Sequence, residues 1–163
     1  MALLKDYGLI VRMTALEADP LRRYHEEDSP VYKDSGLEAF LNFEPDNLEK
    51  GYFNFEMNAN GAMLSEFGSG KNRKRLKEIT SYRAECTAEI IDQHSWSVLL
   101  RIPKELIYEV YGKKSLGSGD KFTCNFYKIS EDPGIEHYAS YAPIDNPVPN
   151  FHLPQFFAGA VID

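Results

Sequence analysis

The chain is poor in the residues that most often announce chemistry. It has two cysteines, Cys86 and Cys124, at no metal-binding spacing. Each sits in an alternating apolar run, where cysteine acts as a small buried hydrophobe, and nothing in the spacing indicates a disulfide. No apolar stretch reaches 18 residues, so no membrane-spanning helix is expected. Met1–Leu4 is too short for the apolar region of a signal peptide before Asp6 interrupts it. The expectation as written is a cytoplasmic protein, or a secreted one if leading residues precede this start. Basic charge is also scarce, with 18 Lys and Arg against 25 Asp and Glu and a net charge of −7. Nucleic acid and anionic membrane surfaces are thereby excluded, since both require a basic stripe. The one basic cluster, KNRKRLK at Lys71–Lys77, reads as a solvated loop. GSGK at Gly68–Lys71 lacks the strand-to-helix setting and the Lys-Ser/Thr ending of a phosphate loop. The four histidines, His25, His94, His137 and His152, form no HxH or HxxxH pair and accompany no nucleophile motif. No cofactor is expected. Calcium is the one cation to consider, with Asp28 and Asp34 as hard oxygen donors outside any defined loop pattern.

What is abundant is aromatic. Ten Tyr and ten Phe in 163 residues suit β-structure better than a helical bundle, and this length fits one domain, 1–163, with one core. Gly8–Leu16, Leu37–Phe43, Gly51–Asn58, Gly61–Phe67, Glu85–Asp92, Ser95–Ile102 and Asp120–Ile129 read as strands. Tyr138–Tyr141 and Gln155–Ile162 are shorter candidates. Cys86, Ala88 and Ile90 are expected to face inward, as is Trp96. Pro103–Tyr111 is the one helix, stopped by Gly112. Pro143–Pro154 holds four prolines and must be irregular. The fold class is therefore all-β, a two-sheet antiparallel β-sandwich, immunoglobulin-like or jelly-roll-like, with one short helix.

The chain is organised around Pro30–Phe43, PVYKDSGLEAFLNF. It joins an aromatic, Tyr32, to a polar turn and then to a strand carrying one carboxylate, Glu38. A symmetric loop places Phe43 opposite Gly51. Leu37, Ala39, Leu41 and Phe43 then share a core face with Phe53, Phe55 and Met57. The other, solvent-facing side carries Glu38 opposite Glu56 and Phe40 opposite Asn54. Facing carboxylates repel, so this pair needs water, an arginine, a shared proton or a ligand to answer it. One reading is a glycoside-processing enzyme using Glu38 and Glu56 as its acid pair. A binding surface makes fewer demands, because Tyr, Glu and Asn suit a sugar's C–H faces and vicinal hydroxyls. A structural domain without sugar affinity is the third.

SPVYKDSGLEAFLNF at Ser29–Phe43, GYFNFEMNANG at Gly51–Gly61, WSVLLRIP at Trp96–Pro103, FTCNFYKI at Phe122–Ile129 and ASYAPIDNPVPNFHLPQFFAG at Ala139–Gly159 together resemble the family 9 carbohydrate-binding modules, in their family 9-like, DOMON-like branch. The resemblance runs from about Gly8 to Val161. It implies a β-sandwich linked to carbohydrate catabolism and to glycoside hydrolases, in which two aromatic rings clamp a terminal saccharide. By position, the rings fall on Tyr32 and Tyr141, and the polar floor on Glu38, Asn54, Glu56 and Asn125. The family's rings are usually Trp and its late amide Gln, and a binding Arg of the second hairpin strand is Asn54 here. That replacement removes a rigid donor fork. Related sandwiches bind haem through Met and His; Met57, Met63 and His152 are the available residues, and the strand methionine reads as core. Asn150, Phe151, His152, Phe156 and Phe157 read as closing contacts. The implied partner is a saccharide; the oligomeric state is not indicated.

Overall fold

The computed structural model describes residues 1–163. In chain order the strands are β1 (Ala2–Leu4), β2 (Gly8–Leu16), β3 (Gly36–Asn42), β4 (Tyr52–Asn58), β5 (Met63–Ser69), β6 (Asn72–Arg75), β7 (Glu85–Asp92) and β8 (Ser95–Pro103). Helix α1 (Lys104–Tyr111) follows, then β9 (Lys121–Ser130), β10 (His137–Ser140) and β11 (Ala158–Val161). They form two antiparallel sheets. The first has the order β1-β2-β8-β7, and the second runs β9-β3-β4-β5-β6. β10 pairs with the second half of β9 and β11 with its first half. This is the expected β-sandwich, and no helix is long and apolar enough to cross a membrane.

The core lies between the sheets because period-2 alternation turns one apolar row of each strand inward. Leu37, Ala39, Leu41 and Phe43 meet Phe53, Phe55 and Met57, with Val11, Trp96, Val98 and Leu100 from the other sheet in the same cluster. Trp96 is fully buried, and its indole Nε1 donates to Glu17 Oε2 at 2.9 Å. Helix α1 closes one end: Leu106, Ile107 and Tyr111 are buried, and the Tyr111 hydroxyl donates to the carbonyls of Leu41 and Gly51 at 3.2 and 3.1 Å. Pro103 is its N-cap and Gly112, at φ 67°, its left-handed C-cap.

Several expectations are corrected. Ala2–Leu4 is a strand on Gly8–Ile10, although three residues are too few to show a period. Ile90 is exposed because β7 is a sheet edge with an irregularity between Ile90 and Asp92, which breaks its alternation. The last strand begins only at Ala158, after a 3-10 turn at Pro154–Phe156. The cysteines need no correction: no disulfide is indicated by their spacing, and both are free thiols. The basic cluster is not wholly loop, since Asn72–Arg75 pairs with Glu66–Ser69 as an edge strand.

The largest correction concerns the outer side of the β3–β4 hairpin. Its register is as expected, with Glu38 opposite Glu56 and Phe40 opposite Asn54. That side is not solvated, however, since every residue of β3 and β4 is buried. Phe40, Tyr52, Tyr127, Ile129, Phe151 and Phe157 form a second apolar cluster upon it.

Candidate functional site

The site is assembled on this outer face. Alternation sends Glu38 of β3 and Glu56 of β4 outward side by side, and the same rule sends out Leu64 and Glu66 of β5 and Arg73 and Arg75 of β6. The segment before β3 supplies Tyr32 from a 3-10 turn at Val31–Lys33. Buried Asp34 and Ser35 pin that turn. The Asp34 carboxylate accepts from the Tyr24 amide at 3.0 Å, from Asn58 Nδ2 at 2.9 Å and from Arg23 Nε at 3.3 Å. Ser35 Oγ donates to Glu17 at 2.8 Å and accepts from the Leu21 amide. The rest of the lining comes from Tyr138 of β10 and from Pro149–His152. Phe151 stacks on Tyr127 with centroids 4.1 Å apart, and the His152 ring stacks on Phe40 while its Nδ1 bonds the Tyr52 hydroxyl at 2.9 Å. Together these groups enclose a cavity of about 470 Å³, within the size range of small-ligand sites.

Two guanidiniums enter this cavity where the sequence reading saw only a solvated loop. Arg73 Nε donates to Glu66 Oε2 at 3.0 Å, and Arg75 Nη1 to Glu66 Oε1 at 2.8 Å. Arg73 also donates through Nη1 to the carbonyl of Gly70. Asn54 therefore does not leave the site without a donor fork, since β6 brings two. Asn54 itself joins the carboxylates, its Nδ2 donating to Glu56 Oε1 at 2.9 Å and to Glu66 Oε2 at 3.3 Å.

Burial dominates the proton affinities. Glu38 is held well above the usual carboxylate range, first by desolvation and then by the charges of Glu56 and Glu131. Glu56 is pushed up to about 7 by burial, against the lowering hydrogen bond from Asn54. His152 is pushed down to about 4 by burial and by the charge of Arg73, and so stays neutral. A protonated carboxyl beside an ionised one can donate as well as accept, which suits a ligand with hydroxyls of both roles.

Of the six residues nominated from sequence, Tyr32, Glu38 and Glu56 line one cavity and Asn54 supports it. Asn125 does not reach it. Its amide is committed to the backbone of Ala142 in both directions, at 3.2 and 2.9 Å, and to the Phe126 amide. Tyr141 is 72% exposed and packs edge-on against Phe126 in a separate depression with Met13 and Leu37. A clamp between Tyr32 and Tyr141 is therefore not formed. Tyr138, three residues earlier, lines the cavity with Tyr32, because it pairs with Ile129 on the outer face, whereas Tyr141, an odd number of residues on, falls beside Phe126 on the other side of the sheet, its amide donating to the Phe126 carbonyl at 2.8 Å. The calcium candidates do not fit the ion either. Asp34 is surrounded by N–H donors, and Asp28 is held by Lys77 Nζ at 2.6 Å; no cluster of metal-ligating side chains exists elsewhere. Nor do the three haem candidates converge, since Met57 and Met63 lie in the inner core and His152 on the outer face.

Sequence reading missed Glu66, Arg73, Arg75, Glu131, Tyr138 and Asn150–His152. For the arginines a signal existed: Arg73 and Arg75 alternate beyond a Gly-bearing turn, one strand period apart. For His152 no local signal exists.

The family model for carbohydrate-binding family 9 matches residues 4–162. The chain belongs to that family. No curated protein is significantly similar in sequence. Among solved structures, a Bacteroides uniformis protein with a provisional carbohydrate-binding assignment superposes with a TM-score of 0.69 at 22% identity, over 94% of this chain and 72% of its own. A family 9 module from Caldicellulosiruptor kristjanssonii in complex with glucose gives 0.66 at 15% identity, covering 97% and 72%. Its complex with cellotriose gives 0.65 at 13%, covering 96% and 70%. At these identities the structures establish a shared fold. Non-catalytic carbohydrate binding is the function that the family assignment supports.

Proposed function

We propose that this family 9 domain holds a terminal saccharide unit in the cavity above β3 and β4. Tyr32 and Tyr138 act as its aromatic walls, and Glu38, Glu56 and the Arg73–Glu66–Arg75 group as its polar lining. The observation that carries the reading is Glu38. It is buried to 3% exposure and lines the cavity, and desolvation and through-space charge, not a protein hydrogen bond, set its proton affinity. A buried carboxyl without a partner is costly unless a ligand supplies one. Asn54 acts by positioning Glu56 and Glu66. Glycoside processing by Glu38 and Glu56 fits the geometry less well. Both carboxyls rise from adjacent strands of one sheet face, so they form a floor beneath a sugar and do not flank a glycosidic bond from opposite sides.

The neighbours from Caldicellulosiruptor kristjanssonii hold glucose and cellotriose, which makes a glucosyl unit the first ligand to test. Titration calorimetry with a panel of mono- and oligosaccharides is expected to show heat with at least one. Tyr32→Ala, at a partly buried position, should weaken that affinity by about tenfold, the value of one aromatic wall. Absence of heat with every sugar would overturn the reading.

A further inference from the structure

The charges in the cavity do not balance. Glu38, Glu56, Glu66 and Glu131 line it with only Arg73 and Arg75 against them, and Glu66 engages both guanidiniums through its two oxygens. Three acidic side chains, Glu38, Glu56 and Glu131, are left without a cation in contact, and a cation docking on the buried pair would displace a proton that burial holds there. Two of them are more than nine-tenths buried, Glu38 at 3% and Glu56 at 5% exposure. Desolvation and neighbouring charges govern Glu38, with no hydrogen bond to it from the protein, and Glu56 Oε2 has no donor. Hydroxyl groups could satisfy these oxygens as acceptors but would bring no charge. An ammonium group brings three donors and one positive charge together, and charge-assisted bonds are about twice as strong as neutral ones. No lysine lines the cavity to compete for the position.

We propose that the cavity selects a saccharide carrying a free amino group, with the ammonium seated on Glu38 and flanked by Glu56 and Glu131. The inference rests on the saccharide reading above and narrows its ligand class to amino sugars. Arg73 and Arg75, already neutralised by Glu66, are left to bind ring hydroxyls, so the two ends of the cavity differ in charge.

The test compares three matched forms of each sugar by titration calorimetry at neutral pH and low salt: glucose, glucosamine and N-acetylglucosamine, and the galactose equivalents. In at least one series the amine should bind about tenfold more tightly than the parent hexose, and N-acetylation, which removes the charge, should erase that advantage. In Glu38→Gln the ratio of amine to parent affinity should fall to near unity. Glu131→Gln alters an exposed residue, which keeps folding out of the question, and should lower the ratio several-fold. Binding of parent hexoses with no preference for the amine overturns this inference and leaves the saccharide reading intact. No heat with any member of the panel overturns both. A preference that survives Glu38→Gln also overturns it. If Glu38→Gln binds nothing measurable, an unchanged ratio in Glu131→Gln overturns it.

Discussion

Glu38 shows how a single residue links stability to a site. Its folded-state pKa lies above its ordinary value of 4.5, so proton uptake favours the fold. That contribution is complete below about pH 4.5 and is lost as pH rises through the folded value. Glu56 acts with the same sign, its folded value being about 7. His152 acts with the opposite sign: its ordinary value is 6.5 and its folded value about 4, so its contribution is present above 6.5 and is lost as pH falls through about 4. Between these limits the groups oppose one another in the wild type. Glu38→Gln removes one acid without changing shape. It should raise stability at pH 8, because the amide has no charged form for burial to penalise. The variant should gain less than the wild type on acidification from pH 8, exposing the His152 loss below pH 6.5. Urea midpoints at pH 4, 6 and 8 measure both effects. A variant as pH-dependent as the wild type between 6 and 8 would show that Glu38 is not the titrating group.

At the scale of elements, the β5–β6 hairpin decides whether the cavity has any positive charge. It depends on Gly68, inside β5, whose φ of 146° is a region L side chains rarely adopt; a Cβ there would run into the Asn72 carbonyl oxygen. The neighbouring strand depends on the same absence, since a Cβ on Gly51 would meet Gly68 backbone atoms at 2.8 Å. Gly68→Ala must therefore move the hairpin. The cost of such a conformation is about 1–3 kcal/mol, and Arg73 and Arg75 move with their strand. Saccharide affinity should fall more in Gly68→Ala than the lost stability explains, as judged by calorimetry at a temperature where the variant is still fully folded. Gly119, which has no neighbour within 4 Å of a built Cβ and does not line the cavity, is the control position; because its φ is 88°, Gly119→Ala should lose stability without losing the sugar.

At the scale of the molecule, the legible parts of the fold are those whose cause is local. The β3–β4 register could be read because a symmetric loop and a strict period place Glu38 across from Glu56, and α1 could be read because Pro103 and Gly112 bracket it. The covering of the outer face could not be read. Phe40 and Tyr52 receive Phe151, His152 and Phe157 from a proline-rich segment, and the Tyr52–His152 hydrogen bond spans 100 residues. Contacts of that range leave no period in the sequence, so the face looked solvated and its carboxylates looked exposed. The second ring is different: an odd spacing puts Tyr141 beside Phe126 on the other side of the sheet from Tyr138, so a strict period-2 count along His137–Tyr141 separates the two rings from sequence alone. The molecule consequently has two apolar layers, one inside the sandwich and one outside it that walls the cavity. They should be separable. Phe151, 9% exposed, belongs only to the outer layer, and Phe151→Ala should cost about 3–5 kcal/mol by the usual scale for a buried Phe. Because the 23-residue inner core is untouched, the variant should keep its far-ultraviolet β signal and a cooperative urea transition at lower midpoint, yet give no heat with any sugar that the wild type binds. Retained binding in Phe151→Ala would mean that the saccharide does not use this wall.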